Sequence, residues 1–243
     1  MINSDGQNDP EISKFPAPEA REVTEKAHFM HPPRQPPKEP AFNLPPVVKT
    51  LCLINIIVFL GIAFFPELLT PEDIYALSFV PARYFNNQPL GFAGIFSPLT
   101  HLFIHASWAH LGLNISMLMA FGAGLEKKMG GRRLLLLYFI SGLFGALLHT
   151  LLYPDMDVPM VGASGAISGL FGGVIMLMYM EGMMGQGYRK LIPFIVIWIG
   201  VSIFFGFFGV PGTDNPIAWT AHVGGFIGGL LLYKPVSRLK IQH

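Results

Sequence analysis

Beyond residue 46 the chain is a succession of apolar runs at the length a bilayer demands, and this restricts it to a helical membrane bundle. The runs cover about 47–65, 106–125, 134–153, 164–180, 191–210 and 218–233, where roughly 17–25 residues carry a helix through hydrocarbon. None alternates strictly between apolar and polar residues, and strand-like segments of ~10 residues are missing, so an outer-membrane barrel is excluded. The spacing predicts six transmembrane helices, with the second and sixth polar enough for hydropathy alone to overlook. Only 13% of residues are charged, about half the ~25% of a soluble domain. A net charge of +1 offers no electrostatic surface for nucleic acid, and the single cysteine, Cys52, excludes an internal disulfide framework.

Residues 1–46 differ from the rest. They hold ten prolines and mixed charges without a helical or strand period, and such a segment buries too little apolar area to offset its chain entropy. It is expected to be a disordered tail without a secretory signal. The expected division is a Pro-rich tail over 1–46, a six-helix domain over 47–236 and a short tail over 237–243.

The basic residues test the span count independently. With the amino terminus inside, Lys14, Arg21, Lys26, Arg34, Lys38, Lys49, Lys127, Lys128, Arg132, Arg133, Arg189, Lys190, Lys234, Arg238 and Lys240 share one side, leaving Arg83 alone on the other. The opposite loops carry Glu67, Glu72, Asp73, Asp155, Asp157 and Asp214. Positive residues collect on the cytoplasmic side, so both termini are expected there. Lacking an organelle signal, the expected compartment is a bacterial plasma (inner) membrane. The long loop between the first two spans is apolar over 74–85 and 92–103, broken by prolines, and is expected to lie partly in the membrane interface.

Polar groups at membrane depth are costly and default to functional candidates. His101, His105 and His110 lead into the second span, with Asn114 one turn beyond. Ser164 opens the fourth between Gly162 and Gly165, and His222 opens the sixth. The inferred topology brings all three groups to the same outer depth. Gly165, Gly169 and Gly173 on one span and Ala221, Gly225 and Gly229 on the other repeat every four residues, and such stripes let helix backbones approach closely. A serine at a helix start, facing free amides and the positive end of the dipole, suits a developing negative charge. A neighbouring imidazole can take its proton and return it to a leaving amine. His110 and Asn114, four apart on one face, offer donors which with the Ser164 amide would make an oxyanion hole. The competing use of the histidines is metal or haem ligation, but no cysteine or carboxylate accompanies them at ligand spacing; no cofactor or metal is expected. Glu126, at the cytoplasmic end of the second span, reads as structural, bonding neighbouring backbone groups or pairing with Arg132 or Arg133. His149 has no partner identifiable from sequence.

Four elements in this order resemble the rhomboid family of intramembrane serine proteases: His105-Ala-Ser-Trp-Ala-His110-x-x-x-Asn114, Gly122-x-x-x-Glu126-x-x-x-Gly130, Gly162-Ala-Ser164-Gly165, and Ala221-His222-x-x-Gly225-x-x-x-Gly229. The resemblance implies a six-helix bundle cleaving membrane-spanning substrates through a Ser164–His222 dyad. His110, Asn114 and the Ser164 amide would form its oxyanion hole, and Trp219 and 205–211 would belong to a region that gates substrate entry. Where many members carry a Trp-Arg pair in the first outer loop, this chain has Phe96-Ser97. The expected partners are transmembrane segments of other proteins and the lipid bilayer. The alternative is an inactive relative that binds transmembrane clients, against which Ser164, His222, His110 and Asn114 all argue; a transporter would need an intramembrane charge pair that is not evident.

Overall fold

The computed structural model describes residues 44–85, 90–209 and 218–240, which belong to one compact unit spanning 42–243. The expected disordered tail lies outside the described residues up to residue 43. Its last residue, Pro46, already opens the first helix. The elements are α1 (Pro46–Phe64), α2 (Pro71–Leu77), α3 (Gly91–Thr100), α4 (Trp108–Met117), α5 (Ala123–Met129), α6 (Gly131–Leu152), α7 (Ser164–Met180), α8 (Ile192–Phe208) and α9 (Trp219–Ser237). Among the described residues the one extended pairing is an isolated bridge between Phe79 and Met160.

Local chemistry sets most boundaries. Pro46 occupies the first position of α1, where its missing N–H costs nothing and its fixed φ suits a helix. Ser107 caps α4 by accepting the His110 amide at 3.1 Å. A wide π turn over Leu118–Gly122 joins α4 to α5, so Trp108–Met129 runs as one span. Gly130, at φ +84°, ends α5 and starts α6. α9 continues through Ser237, so the expected carboxy-terminal tail starts at 238.

Among the described residues four helices are long and apolar enough to cross a membrane: Pro46–Phe64, Trp108–Met129, Gly131–Leu152 and Tyr188–Phe208. The helices expected as spans four and six fall outside this class for a physical reason. α7 has only 17 residues, nine of them buried, and α9 has eleven of its 19 residues buried. Both pack mainly against protein, with α7 held against α6 and α9, so their outer surfaces need not be uniformly apolar. α8 is the reverse: Ser202 is its one buried residue, and Ile192, Val196, Ile197, Phe204, Phe207 and Phe208 lie exposed along it.

The α7–α9 seam is as tight as backbones allow. A Cβ on Gly225 would overlap the Gly165 carbonyl oxygen, and one on Gly229 would overlap that of Gly169. One end of the bundle is tied by polar contacts. Glu126 accepts the amides of Val47 and Val48 at 2.9 and 2.8 Å, so its partners are amides 78 or more residues away rather than neighbours in sequence. Arg133 donates to the carbonyls of Met129 and Leu239, and Lys128 pairs with Glu181. The starts of α1 and α6 and the ends of α5, α7 and α9 therefore meet at this end. Ser164 and His222 lie at the opposite ends of their helices.

The long connection between α1 and α4 includes the short helices α2 and α3 and helical turns at Pro81–Tyr84 and His101–Phe103. Arg83 donates to the carbonyls of Tyr75 and Ala76 at 2.7 and 2.9 Å, satisfying the last turn of α2. The Tyr84 hydroxyl bonds Ser97 at 2.7 Å. Ser97 is fully buried, whereas Phe96 and Phe92 face outward. The Phe96-Ser97 pair thus splits between a surface ring and an internal hydroxyl clasp.

Candidate active site

The site grows from the turn before α7. Gly162 has φ +110°, a left-handed conformation that only glycine adopts without strain, and its amide donates to the His101 carbonyl at 2.8 Å. A Cβ there would stand 2.6 Å from the His110 ring, so the position needs glycine for space as well. The turn delivers Ser164 to the first position of α7, where backbone amides have no partner within the helix.

α9 brings His222 to the same point. Its Nε2 lies 2.8 Å from Ser164 Oγ, within hydrogen-bond distance. The close approach follows from Gly225, where a Cβ would overlap the Gly165 carbonyl oxygen and separate the two backbones. His110 lies across the Gly162 turn. The Ala106 amide approaches its Nδ1 at 3.4 Å, so in the neutral ring Nε2 is the nitrogen that carries hydrogen.

A cavity of about 290 Å³ opens in front of Ser164, lined among others by His101, His110, His149, Gly162 and His222. Water occupies ~30 Å³ per molecule in the liquid, so several fit. Among the described residues lining the cavity none is acidic, and no group of three His, Cys, Asp or Glu side chains among the described residues could hold a metal ion.

The structure brings together Ser164, His222, His110, Gly162 and Gly165, all of which line this cavity. Asn114 stands apart. It is buried, does not line the cavity, and its Nδ2 donates to the His110 carbonyl at 2.8 Å. His105 is buried with its ring edge against His110, centroids 5.1 Å apart, and supports the site from behind. Glu126 and Gly229 serve the distant end and the seam. Trp219 packs on Gly206 of α8, where a Cβ would stand 2.6 Å from its ring; of the expected gating segment, 210–211 lie outside the described residues.

Sequence reading missed the partner of His149: its Nδ1 lies 2.7 Å from Thr220 Oγ1, and both line the cavity. The available signal was a threonine two residues before His222, facing a histidine in the last turn of the third apolar run.

The sequence profile of the Rhomboid domain matches residues 94–239. The chain is 33% identical over 135 residues to YdcA of Bacillus subtilis (strain 168), covering 55% of this chain and 63% of that one. It is 33% identical over 131 residues to the rhomboid protease GluP of the same organism, covering 54% of this chain and 24% of GluP. It is 32% identical over 139 residues to rhomboid-type serine protease 2 of Emericella nidulans, covering 56% of this chain and 26% of the relative. The chain thus spans less than two-thirds of the length of each of these relatives. With the profile matching more than half of its length and long apolar helices around the matched residues, the chain is an integral membrane protein of the rhomboid family.

Proposed function

We propose that this protein is an intramembrane serine endopeptidase that hydrolyses peptide bonds within or beside the transmembrane segments of other proteins. The observation that carries this reading is the 2.8 Å contact between Ser164 Oγ and His222 Nε2 at the edge of a cavity with room for several waters. The relatives named as proteases support the reaction class.

In this reading His222 Nε2 accepts the Ser164 proton as Oγ attacks the scissile carbonyl carbon. The carbonyl oxygen becomes an oxyanion facing the Ser164 amide and His110 Nε2–H. Asn114 joins these donors once its Nδ2 releases the His110 carbonyl. The tetrahedral adduct collapses to an acyl-enzyme, the C–N bond breaks, and His222 passes its proton to the leaving amine. Water from the cavity, deprotonated by His222, then hydrolyses the ester and restores Ser164.

A transmembrane helix hides its carbonyls in its own hydrogen bonds, so the substrate backbone must first open. Small, helix-weakening residues near the outer membrane face are the expected cleavage sites. Six spans with both termini cytoplasmic complete the proposed arrangement.

The test uses the full chain in proteoliposomes with a single-span reporter carrying a helix-destabilised segment. Ser164→Ala and His222→Ala each lower cleavage by about 10³-fold or more. Wild-type cleavage by either variant overturns the dyad.

A further inference from the structure

We infer that His149 and Thr220 form a positioning pair that sets the angular register of the first turn of α9, and through it the Ser164–His222 contact. The inference rests on the proposed dyad and adds a specific device to it.

α9 begins without the usual fastening: its cap residue, Ala218, makes no side-chain hydrogen bond to the free amides of the first turn. That turn nevertheless carries His222. What holds it is lateral. The Ala221 carbonyl rests on Gly145 of α6, where a Cβ would stand 2.7 Å away. One turn further along the same face of α6, His149 Nδ1 meets Thr220 Oγ1 at 2.7 Å. Both residues are buried, at 5% and 1% exposure, so a broken bond would leave polar atoms short of partners. Tyr153 packs on the His149 ring with centroids 5.6 Å apart, which limits how the imidazole can turn.

Residues two apart on a helix project roughly 200° from one another. Thr220 therefore faces α6 while His222 faces Ser164, and the Thr220 bond acts on the opposite side of the axis from the imidazole. Loss of the bond frees the turn to rotate, and the displacement appears at His222 Nε2. A misplacement of about 1 Å can cost ~10²-fold in rate.

The test measures kcat and KM separately for the full chain in proteoliposomes, with the rate of Ser164 labelling by a fluorophosphonate as a second readout. Thr220→Val keeps the shape and removes the hydroxyl; Thr220→Ser does the reverse. His149→Asn keeps a polar atom where Nδ1 stands; His149→Gln moves it toward Nε2. Thr220→Val and His149→Gln are expected to lower kcat and labelling about tenfold with KM little changed. Their double variant should be no worse than either alone, and Thr220→Ser and His149→Asn should recover most of the loss.

Thr220→Val at wild-type kcat with Thr220→Ser impaired would show a packing role and overturn the inference, as would additive losses in the double variant. If Thr220→Val is not recovered folded, the His149→Asn and His149→Gln pair decides by the same criterion. Ser164→Ala is assayed alongside. Inactive Ser164→Ala beside fully active Thr220→Val removes the positioning role alone, whereas active Ser164→Ala removes the dyad and the positioning role with it.

Discussion

Glu126 receives the Val48 amide at 2.8 Å, joining the end of α5 to the first turn of α1. Together with the Val47 bond at 2.9 Å, it gives two free amides at a helix start a buried carboxylate partner. Hydrogen bonds to charged groups contribute about 1.5–3 kcal/mol each, and the helix dipole favours a negative group there. Glu126→Ala is expected to destabilise the fold by about 3–6 kcal/mol. Glu126→Gln, with one acceptor oxygen instead of two, should lose about half as much. Thermal unfolding in detergent checks both, and equal stability of Glu126→Ala and wild type would remove Glu126 from the fold's supports.

The seam between α7 and α9 leads to a second expectation. Gly225→Ala places a methyl on the Gly165 carbonyl, backbone that cannot swing aside, so the helices must separate. Overpacking of this kind costs about 1–3 kcal/mol. Because Gly225 is three residues from His222 and Gly165 adjoins Ser164, separation lengthens the dyad contact as well. Gly225→Ala should therefore lose activity by more than tenfold even where unfolding assays find it folded. Gly61→Ala, at a site with open space around its Cβ, is the control for helix-glycine replacement.

Much of this arrangement was legible because membrane chemistry writes in long strokes. Apolar run lengths gave the bundle helices to within a few residues, and the four-residue glycine spacing foretold the α7–α9 seam. Ser164 and His222 could be paired because a polar group at depth stands out against an apolar background. Side-chain geometry was less legible. Whether Asn114 aims its amide at the cavity or back at its own helix depends on rotation about a few bonds, which spacing does not encode. The Glu126–Val48 and His149–Thr220 bonds join residues 78 and 71 apart, and such pairings depend on how helices pack. The helical order of the described part of the α1–α4 connection was hidden by its prolines, which read as breaks although Pro71 and Pro81 begin helical turns.

The turned-away amide of Asn114 has a kinetic signature. In the free protein Nδ2 donates one hydrogen to the His110 carbonyl at 2.8 Å, and in the proposed mechanism the amide meets the oxyanion only once the tetrahedral adduct forms. Interactions confined to the transition state raise kcat without tightening substrate binding. Asn114→Ala is expected to lower kcat by about 10–10²-fold and leave KM within about twofold. A rise in KM at constant kcat would instead assign Asn114 to substrate binding.

Gly162 is constrained twice, and the two constraints separate experimentally. Its φ of +110° makes any side chain strained by about 1–3 kcal/mol, and a Cβ would press on His110. Gly162→Ala should therefore displace both the Ser164 turn and the His110 donor, losing activity by at least tenfold. His110→Ala opens the space a Cβ would need. If crowding dominates, adding Gly162→Ala to His110→Ala costs little further activity; if the backbone conformation dominates, the second loss is as large as the first.

The dyad also fixes the sign of the pH dependence. In the proposed mechanism Nε2 of His222, 2.8 Å from Ser164 Oγ, accepts the Ser164 proton, so a ring that already carries two protons cannot start the reaction. Acidification thus removes activity through a single protonation, and log kcat/KM should fall with unit slope below the pKa of His222 and flatten above it. Since no acidic residue lines the described cavity, no carboxylate there adds a second acid-side proton to the profile. A pH series on purified protein in proteoliposomes, with folding checked at each point, measures the slope. A slope of two would mean that a second protonation near the site, with His101, His110 and His149 the other imidazoles on the described cavity wall, also blocks turnover.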